Sequence, residues 1–169
     1  MYADLVTRVR ERGIRVAVDS SGHPLPLAVA ARPSLIKPNH EELAELVGHP
    51  LPTLGDVHAA ARELVTDGIE IVAVSLGRDG AILVTADEVV HAGAAITAPL
   101  STVGAGACML AGLLHGLSTG LPAADALATA VTWGSAAVTL PGSRVPTPSD
   151  LVGIHAEVNR TPDPSLVLR

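Results

Sequence analysis

Short apolar runs alternate with stretches of helical periodicity along most of the 169 residues. That alternation constrains the fold more than any other feature. Residues 14–19, 35–36, 69–76, 81–85 and 89–96 read as strands, rich in Val, Ile and Leu. Between them, residues 2–12, 25–31, 39–47 and 53–66 read as helices, with Gly13 and Gly68 as stops. A glycine-rich loop at 104–106 opens a helix to about residue 117, and a second long helix spans 122–138. Residues 141–148 read as a loop, and 150–158 as a closing helix with a strand at its end. Strands alternating with helices predict an α/β layered fold with a mostly parallel sheet and flanking helices. No repeat or linker interrupts the pattern, so residues 1–160 read as one domain. Residues 161–169 follow as a tail expected to fray.

Composition narrows the function classes. Phe is absent and Tyr and Trp occur once each, so the core is built from Ala, Val, Leu and Ile. At this length a domain buries roughly 68–70% of its unfolded surface, enough for a true core. Seventeen acidic against eleven basic residues give a net charge of −6, which argues against nucleic acid and against a polybasic membrane anchor. No leader pattern precedes the first helix, and no run of 18 apolar residues exists to span a membrane. The single cysteine, Cys108, allows no internal disulfide and no Cys-based zinc site; the expected compartment is the cytoplasm. Lysine also occurs once, at Lys37, against ten arginines. A compact ammonium does what a guanidinium does not, so the site of that lysine draws notice.

Three segments carry more than packing. In Lys37-Pro38-Asn39-His40-Glu41-Glu42-Leu43, Asn39 and Glu42 stand at the spacing of a helix N-cap and its N3 partner. Capping explains both without a ligand. The same residues also put an amide and a carboxylate at a strand-to-helix turn, where α/β sheets gather ligands. Ser75-Leu76-Gly77-Arg78-Asp79-Gly80 reads as a hairpin turn with glycine at positive φ, or as backbone that a nucleotide approaches closely. Ser101-Thr102-Val103-Gly104-Ala105-Gly106-Ala107-Cys108-Met109 places small residues ahead of a helix N-terminus. Unpaired N–H groups and the helix dipole favour an anion there; close packing of a small-residue helix is the other reading. The only lysine follows no glycine, so there is no Walker A loop. Met109 stands where a dinucleotide fingerprint needs its third small residue, and His40-Glu41 lacks the second histidine of a zinc motif. Cys108 reads as a core thiol.

In this order, the segments resemble the PfkB (ribokinase-like) carbohydrate kinase family. Ser101–Gly106 and Ala111-Gly112-Leu113-Leu114 match its C-terminal signature on both sides of the Gly-Ala-Gly-Asp loop. Val18-Asp19-Ser20-Ser21-Gly22, Ile36-Lys37-Pro38-Asn39, Val74-Ser75-Leu76-Gly77 and Trp133-Gly134-Ser135-Ala136-Ala137 add to the likeness. Ser-Thr-Val before the loop is similar to the phosphosugar-kinase branch, in particular to bacterial members acting on fructose 1-phosphate. The resemblance runs from Tyr2 to about Val158 and implies the C-terminal half of a ribokinase-like doubly wound fold. The half it leaves out carries the family's sugar-binding residues and lid. It also exposes a departure: where the family's loop closes with its catalytic Asp, this chain has Ala107.

The resemblance assigns roles residue by residue. Gly104, Ala105 and Gly106 would form the anion hole for the transferring phosphoryl group. Lys37 would reach the phosphates of ATP, and Asn39 with Glu42 would hold the Mg²⁺–phosphate network. Ser75, Gly77 and Gly80 would line the nucleotide, with Ser135 near the adenine or ribose. Ser101, Val103, Ala137, Gly142 and Arg144 fall where some members bind a monovalent cation, K⁺. The implied reaction passes the γ-phosphate of ATP to the 6-hydroxyl of fructose 1-phosphate, with the phosphosugar bound only if the N-terminal half is supplied. A non-catalytic nucleotide-binding or regulatory remnant, or a gene fragment, is the alternative. Half of a doubly wound domain is also expected to leave an open strand edge and to self-associate.

Overall fold

A computed structural model of the chain describes residues 2–169. Strands and helices alternate as the sequence predicts, and contacts divide the chain into two compact units.

The first unit comprises the chain up to Ser75, with Leu83–Val89 and Asp163–Leu168. It contains α1 (Tyr2–Arg10), β1 (Ala17–Val18), α2 (Pro24–Ala30), β2 (Leu35–Ile36), α3 (His40–Val47), α4 (Leu54–Thr66) and β3 (Ile71–Ser75). The three strands pair in parallel, with Val18 opposite Ile36 and Ile36 opposite Val72. Ile36, Val72, Ala73 and Val74 are fully buried, and Leu43, Leu54, Val57 and Ala61 from α3 and α4 pack with them into an aliphatic core. Parallel strands buried on both faces read as continuous apolar runs, as β2 and β3 do, whereas Ala17 of β1 is exposed.

Several boundaries differ from expectation, each for a local reason. β1 has two residues, not six. β2 is itself only two residues long, so only Val16 and Val18 find amide partners, from Leu35 and Lys37, while Ile14 is exposed. α1 ends at Arg10 and buries only Val6. The tail does not fray. Leu54 N–H donates to the Leu166 carbonyl at 2.9 Å, Gly55 N–H to Pro164 at 3.0 Å and Leu168 N–H to Pro52 at 3.0 Å. The first amides of a helix lack intrahelical acceptors, and here the tail provides them. Gly55 permits the approach, since a Cβ would stand 2.8 Å from the Pro164 carbonyl.

The second unit comprises Leu76–Ile82, Val90–Pro162 and Arg169. It contains α5 (Ala105–Ser118), α6 (Ala123–Val138) and β6 (Glu157–Asn159), while β4 (Ala81–Val84) and β5 (Val89–Gly93) each contribute residues to both units. β5 and β6 pair antiparallel, His91 opposite Asn159. The expected helix over 150–158 is instead a 3₁₀ turn, Pro148–Leu151, followed by β6. The Asp150 carboxylate accepts the Thr147 amide at 2.7 Å and starts the turn; Gly153 at φ +84° ends it. α5 and α6 pack through small residues. A Cβ on Gly116 would lie 2.8 Å from Ala126 Cα, and one on Gly112 would lie 3.0 Å from Ala130 Cα. With parallel pairing in β1–β3 and antiparallel pairing in β5–β6, the fold class is α/β, as the sequence predicts. Among the described residues no helix is long and apolar enough to cross a membrane.

Candidate functional site

In the first unit the predicted residues gather at the C-terminal ends of the parallel strands, where open α/β sheets bind ligands. β2 ends at Ile36, Lys37-Pro38-Asn39 follow, and α3 begins at His40. Asn39 forms an isolated parallel bridge with Ser75 at the end of β3, and Ser75 N–H donates to the Pro38 carbonyl at 3.1 Å. Two segments 36 residues apart thus become neighbours.

The capping box is complete. Glu42 N–H donates to Asn39 Oδ1 at 2.8 Å, and Asn39 N–H donates to Glu42 Oε2 at 2.8 Å. It uses one atom of each side chain, and no hydrogen bond among the described residues engages Asn39 Nδ2 or Glu42 Oε1. Capping and ligand binding therefore do not compete for the same atoms. Lys37 is only 4% exposed, with its Nζ 3.4 Å from Asp19 Oδ1, and its amide donates to the Val18 carbonyl at 3.1 Å. His40 is tied down, Nε2 lying 2.6 Å from the Leu51 carbonyl.

In the second unit, the Gly77–Asp79 3₁₀ turn closes with Leu76 N–H donating to the Gly80 carbonyl at 2.8 Å. Gly80, at φ +86°, is enforced by packing, because a Cβ would overlap the Ala92 carbonyl. Gly77, at φ +61°, faces open space. The hairpin reading thus accounts for Gly80 without a ligand. Asp79 is fixed on both sides: its carbonyl lies 2.7 Å from His91 Nε2, and its Oδ2 accepts the Arg169 amide at 2.7 Å.

Gly104 caps α5 in the left-handed conformation, φ +84°. Ala105 N–H donates back to the Thr102 carbonyl at 3.2 Å; Gly106 and Ala107 follow in the first turn, whose amides have no carbonyl one turn earlier. Ala107 is exposed and its methyl group has no lone pair to accept a proton. Gly134 packs onto this first turn, a Cβ there falling 3.3 Å from the Ala105 carbonyl, which sets half-buried Ser135 one residue beyond it. The Val138 carbonyl accepts the amides of Leu100 and Ser101 at 2.8 and 3.2 Å. A Cβ on Gly104 would stand 4.0 Å from Ser143 Cα. Ser101 thus lies beside Ala137–Val138, and Val103-Gly104 beside Gly142–Arg144. Burial raises the Cys108 thiol above its ordinary pKa, which argues against a thiolate nucleophile.

Two open recesses lie elsewhere, one along Ala128–Trp133 and Ile154–Ala156 and one along α3 and Gly48–Pro52, and of the predicted residues they include none. Among the described residues no three His, Cys, Asp or Glu side chains cluster as a metal site. Sequence reasoning missed Asp19 as a partner of Lys37; its only signal was its place directly after an apolar strand.

Residues 1–150 match the model of the pfkB family carbohydrate kinases. The chain belongs to this family. It is 42% identical to 1-phosphofructokinase of Rhodobacter capsulatus over 157 residues, 93% of this chain and 50% of that protein. It is 35% identical to the ATP-dependent 6-phosphofructokinase isozyme 2 of Escherichia coli over 158 residues, 92% of this chain and 51% of that one. The structure of phosphofructokinase-2 from Escherichia coli in complex with potassium superposes with a TM-score of 0.84 at 34% identity, over 89% of this chain and 49% of the other. This PfkB chain therefore spans about half the length of the curated relatives it matches. Its family is that of the carbohydrate kinases, and phosphofructokinases are among its relatives.

Proposed function

We propose that this chain forms the nucleotide side of an ATP-dependent phosphosugar kinase whose reaction passes the γ-phosphate to the 6-hydroxyl of fructose 1-phosphate. The observation that carries the reading is the strand-end cluster: buried Lys37, the Asn39–Glu42 box and Ser75, joined through the Asn39–Ser75 bridge. Likeness to phosphofructokinases and to an ATP-dependent relative supports the substrate class.

Phosphoryl transfer is mainly positioning and electrostatics. Lys37 contributes a point charge for the phosphates. The amides at Gly104 and Gly106 supply an anion hole for charge developing on the transferring group, and the Ala105 amide joins them on leaving the Thr102 carbonyl it meets at 3.2 Å. Gly77, where a Cβ would face open space, lets backbone approach the nucleotide, Gly80 lines it by closing the same turn, and Ser135 meets its adenine or ribose. For Mg²⁺, the uncommitted Glu42 Oε1 beside the Asn39 amide fits the usual pattern of one carboxylate completed by phosphates and water. Bound there, the ion would neutralise phosphate charge. For K⁺, the Ser101 hydroxyl and the carbonyls of Val103, Ala137, Gly142 and Arg144 are the right class of donor, and the potassium in the related structure supports that assignment. The acceptor sugar is held by the part of the family fold outside the matched span. The domain spans residues 1–160 and works in the cytoplasm.

Ala107 favours a second reading, a non-catalytic nucleotide-binding subunit. Loss of a general base typically removes about 10²–10⁴-fold in rate, and turnover also needs the acceptor's site, which lies outside the matched span on the reading above. An ADP-release assay on four combinations separates these defects: the chain with and without Ala107→Asp, each with and without a complementary half fused in cis. Activity is expected only when both are supplied, with a residual rate for the fusion lacking the substitution. Ordinary turnover of fructose 1-phosphate by the unaltered chain alone would refute both arguments.

A further inference from the structure

We infer that Asp19 is a positioning residue for Lys37, holding its ammonium at the strand ends where it meets nucleotide phosphates. The inference rests on the reading of Lys37 given above and adds a residue to that site.

The register places the pair. Val18 ends β1 and Ile36 ends β2, and the two are directly opposite. Asp19 and Lys37 directly follow the ends of these adjacent parallel strands, and Lys37 lies two residues before the Asn39–Ser75 bridge. Lys37 is 4% exposed and Asp19 34%, with Nζ and Oδ1 3.4 Å apart. An isolated buried ammonium is costly, and removing one partner of a buried pair leaves that cost uncompensated. Lysine has a long flexible stem that carries an unpaired head out to water. Asp19 thus decides whether the only lysine stays in the site. Its own partial exposure leaves the pair open on one side, the side from which a phosphate can reach the ammonium.

Having one lysine makes the test direct. The full chain and its Asp19→Asn, Asp19→Glu, Lys37→Met and doubly substituted variants are treated with an amine-acylating ester, and Lys37 modification is followed by peptide mass mapping. Asp19→Asn should raise the Lys37 acylation rate at least about tenfold as the side chain leaves its buried position, the equivalent of about 1.4 kcal/mol. Asp19→Glu should return the rate toward wild type. ADP and adenosine affinities are measured alongside. Asp19→Asn should weaken ADP about as much as Lys37→Met does, leave adenosine unchanged, and add nothing in the double variant. An unchanged acylation rate in Asp19→Asn would overturn the inference, as would full additivity in the double variant. If Lys37→Met leaves ADP binding intact, the nucleotide assignment of Lys37 fails, while acylation still decides whether Asp19 holds it.

Discussion

The strand-end cluster of the first unit and the α5–α6 hairpin of the second each offer candidate phosphate contacts, by opposite means. In the first, polar side chains are fixed by other side chains and strand pairing: Asn39 by Glu42 and the Ser75 bridge, Lys37 by Asp19. In the second, side chains are nearly absent. Gly112, Gly116 and Gly134 let two helices meet backbone to backbone, and Gly104 turns the chain into the helix N-terminus at φ +84°. Glycine in the hairpin is therefore mostly a packing or turning residue, and Gly106, with no left-handed φ and no packed neighbour, has neither role. Polar residues in the strand-end cluster keep unused donor and acceptor atoms after their structural work is done.

The largest expected effect falls on the turn ahead of the hairpin. Gly80→Val would drive a branched side chain into the Ala92 carbonyl at a positive φ, at a cost above about 3 kcal/mol. Denaturant melts should show it unfolded or nearly so; a wild-type midpoint would show that the close approach of Gly80 to β5 is wrong. Next, Gly116→Ala puts a Cβ against Ala126 and should cost about 1–3 kcal/mol, with nucleotide affinity unchanged. A fall in affinity larger than the fall in stability would mean the hairpin glycines serve the ligand as well as the packing.

A matched pair of caps sharpens the contrast. Asn39 and Thr53 each close a capping box in the first unit, Thr53 with Asp56. The alanine substitution of each should cost about 1 kcal/mol of stability. Only Asn39→Ala should also weaken MgADP binding in calorimetry. Equal binding losses would reduce the Asn39–Glu42 box to a helix cap.

The smallest effect is a pH slope. Burial, and then the Arg62 guanidinium, hold the His58 imidazole below its ordinary pKa of 6.5; its Nε2 is buried without a partner. The unfolded chain takes up the proton first as pH falls. The stabilisation is therefore complete above pH 6.5 and is lost as pH drops through that value toward the lower folded one. Urea melts from pH 7.5 to 5.5 should show falling stability, and His58→Leu should flatten that slope. An unchanged slope would place the titrating group elsewhere.

The strand–helix alternation, the Asn39–Glu42 cap and the paired long helices were legible because each is local: periodicity and capping act within a few residues. The short β1 was not, because its length is set by what β2 offers 17 residues later. The order of the tail is not legible for the same reason, since it comes from α4 amides that need acceptors. Asp19 was overlooked as a site residue because its meaning depends on strand register. The order of the motifs, and not any one of them, carried the family assignment.

The central claim is that Lys37 and the Gly104 loop bind nucleotide phosphates. Calorimetry of the chain with millimolar MgATP tests it, comparing wild type with the combined Lys37→Ala and Gly104→Val variant. The account predicts weak, magnesium-dependent binding in the wild type and its loss in the variant. The same heat and affinity in both would contradict it, and would leave these residues as a buried ion pair and a helix start.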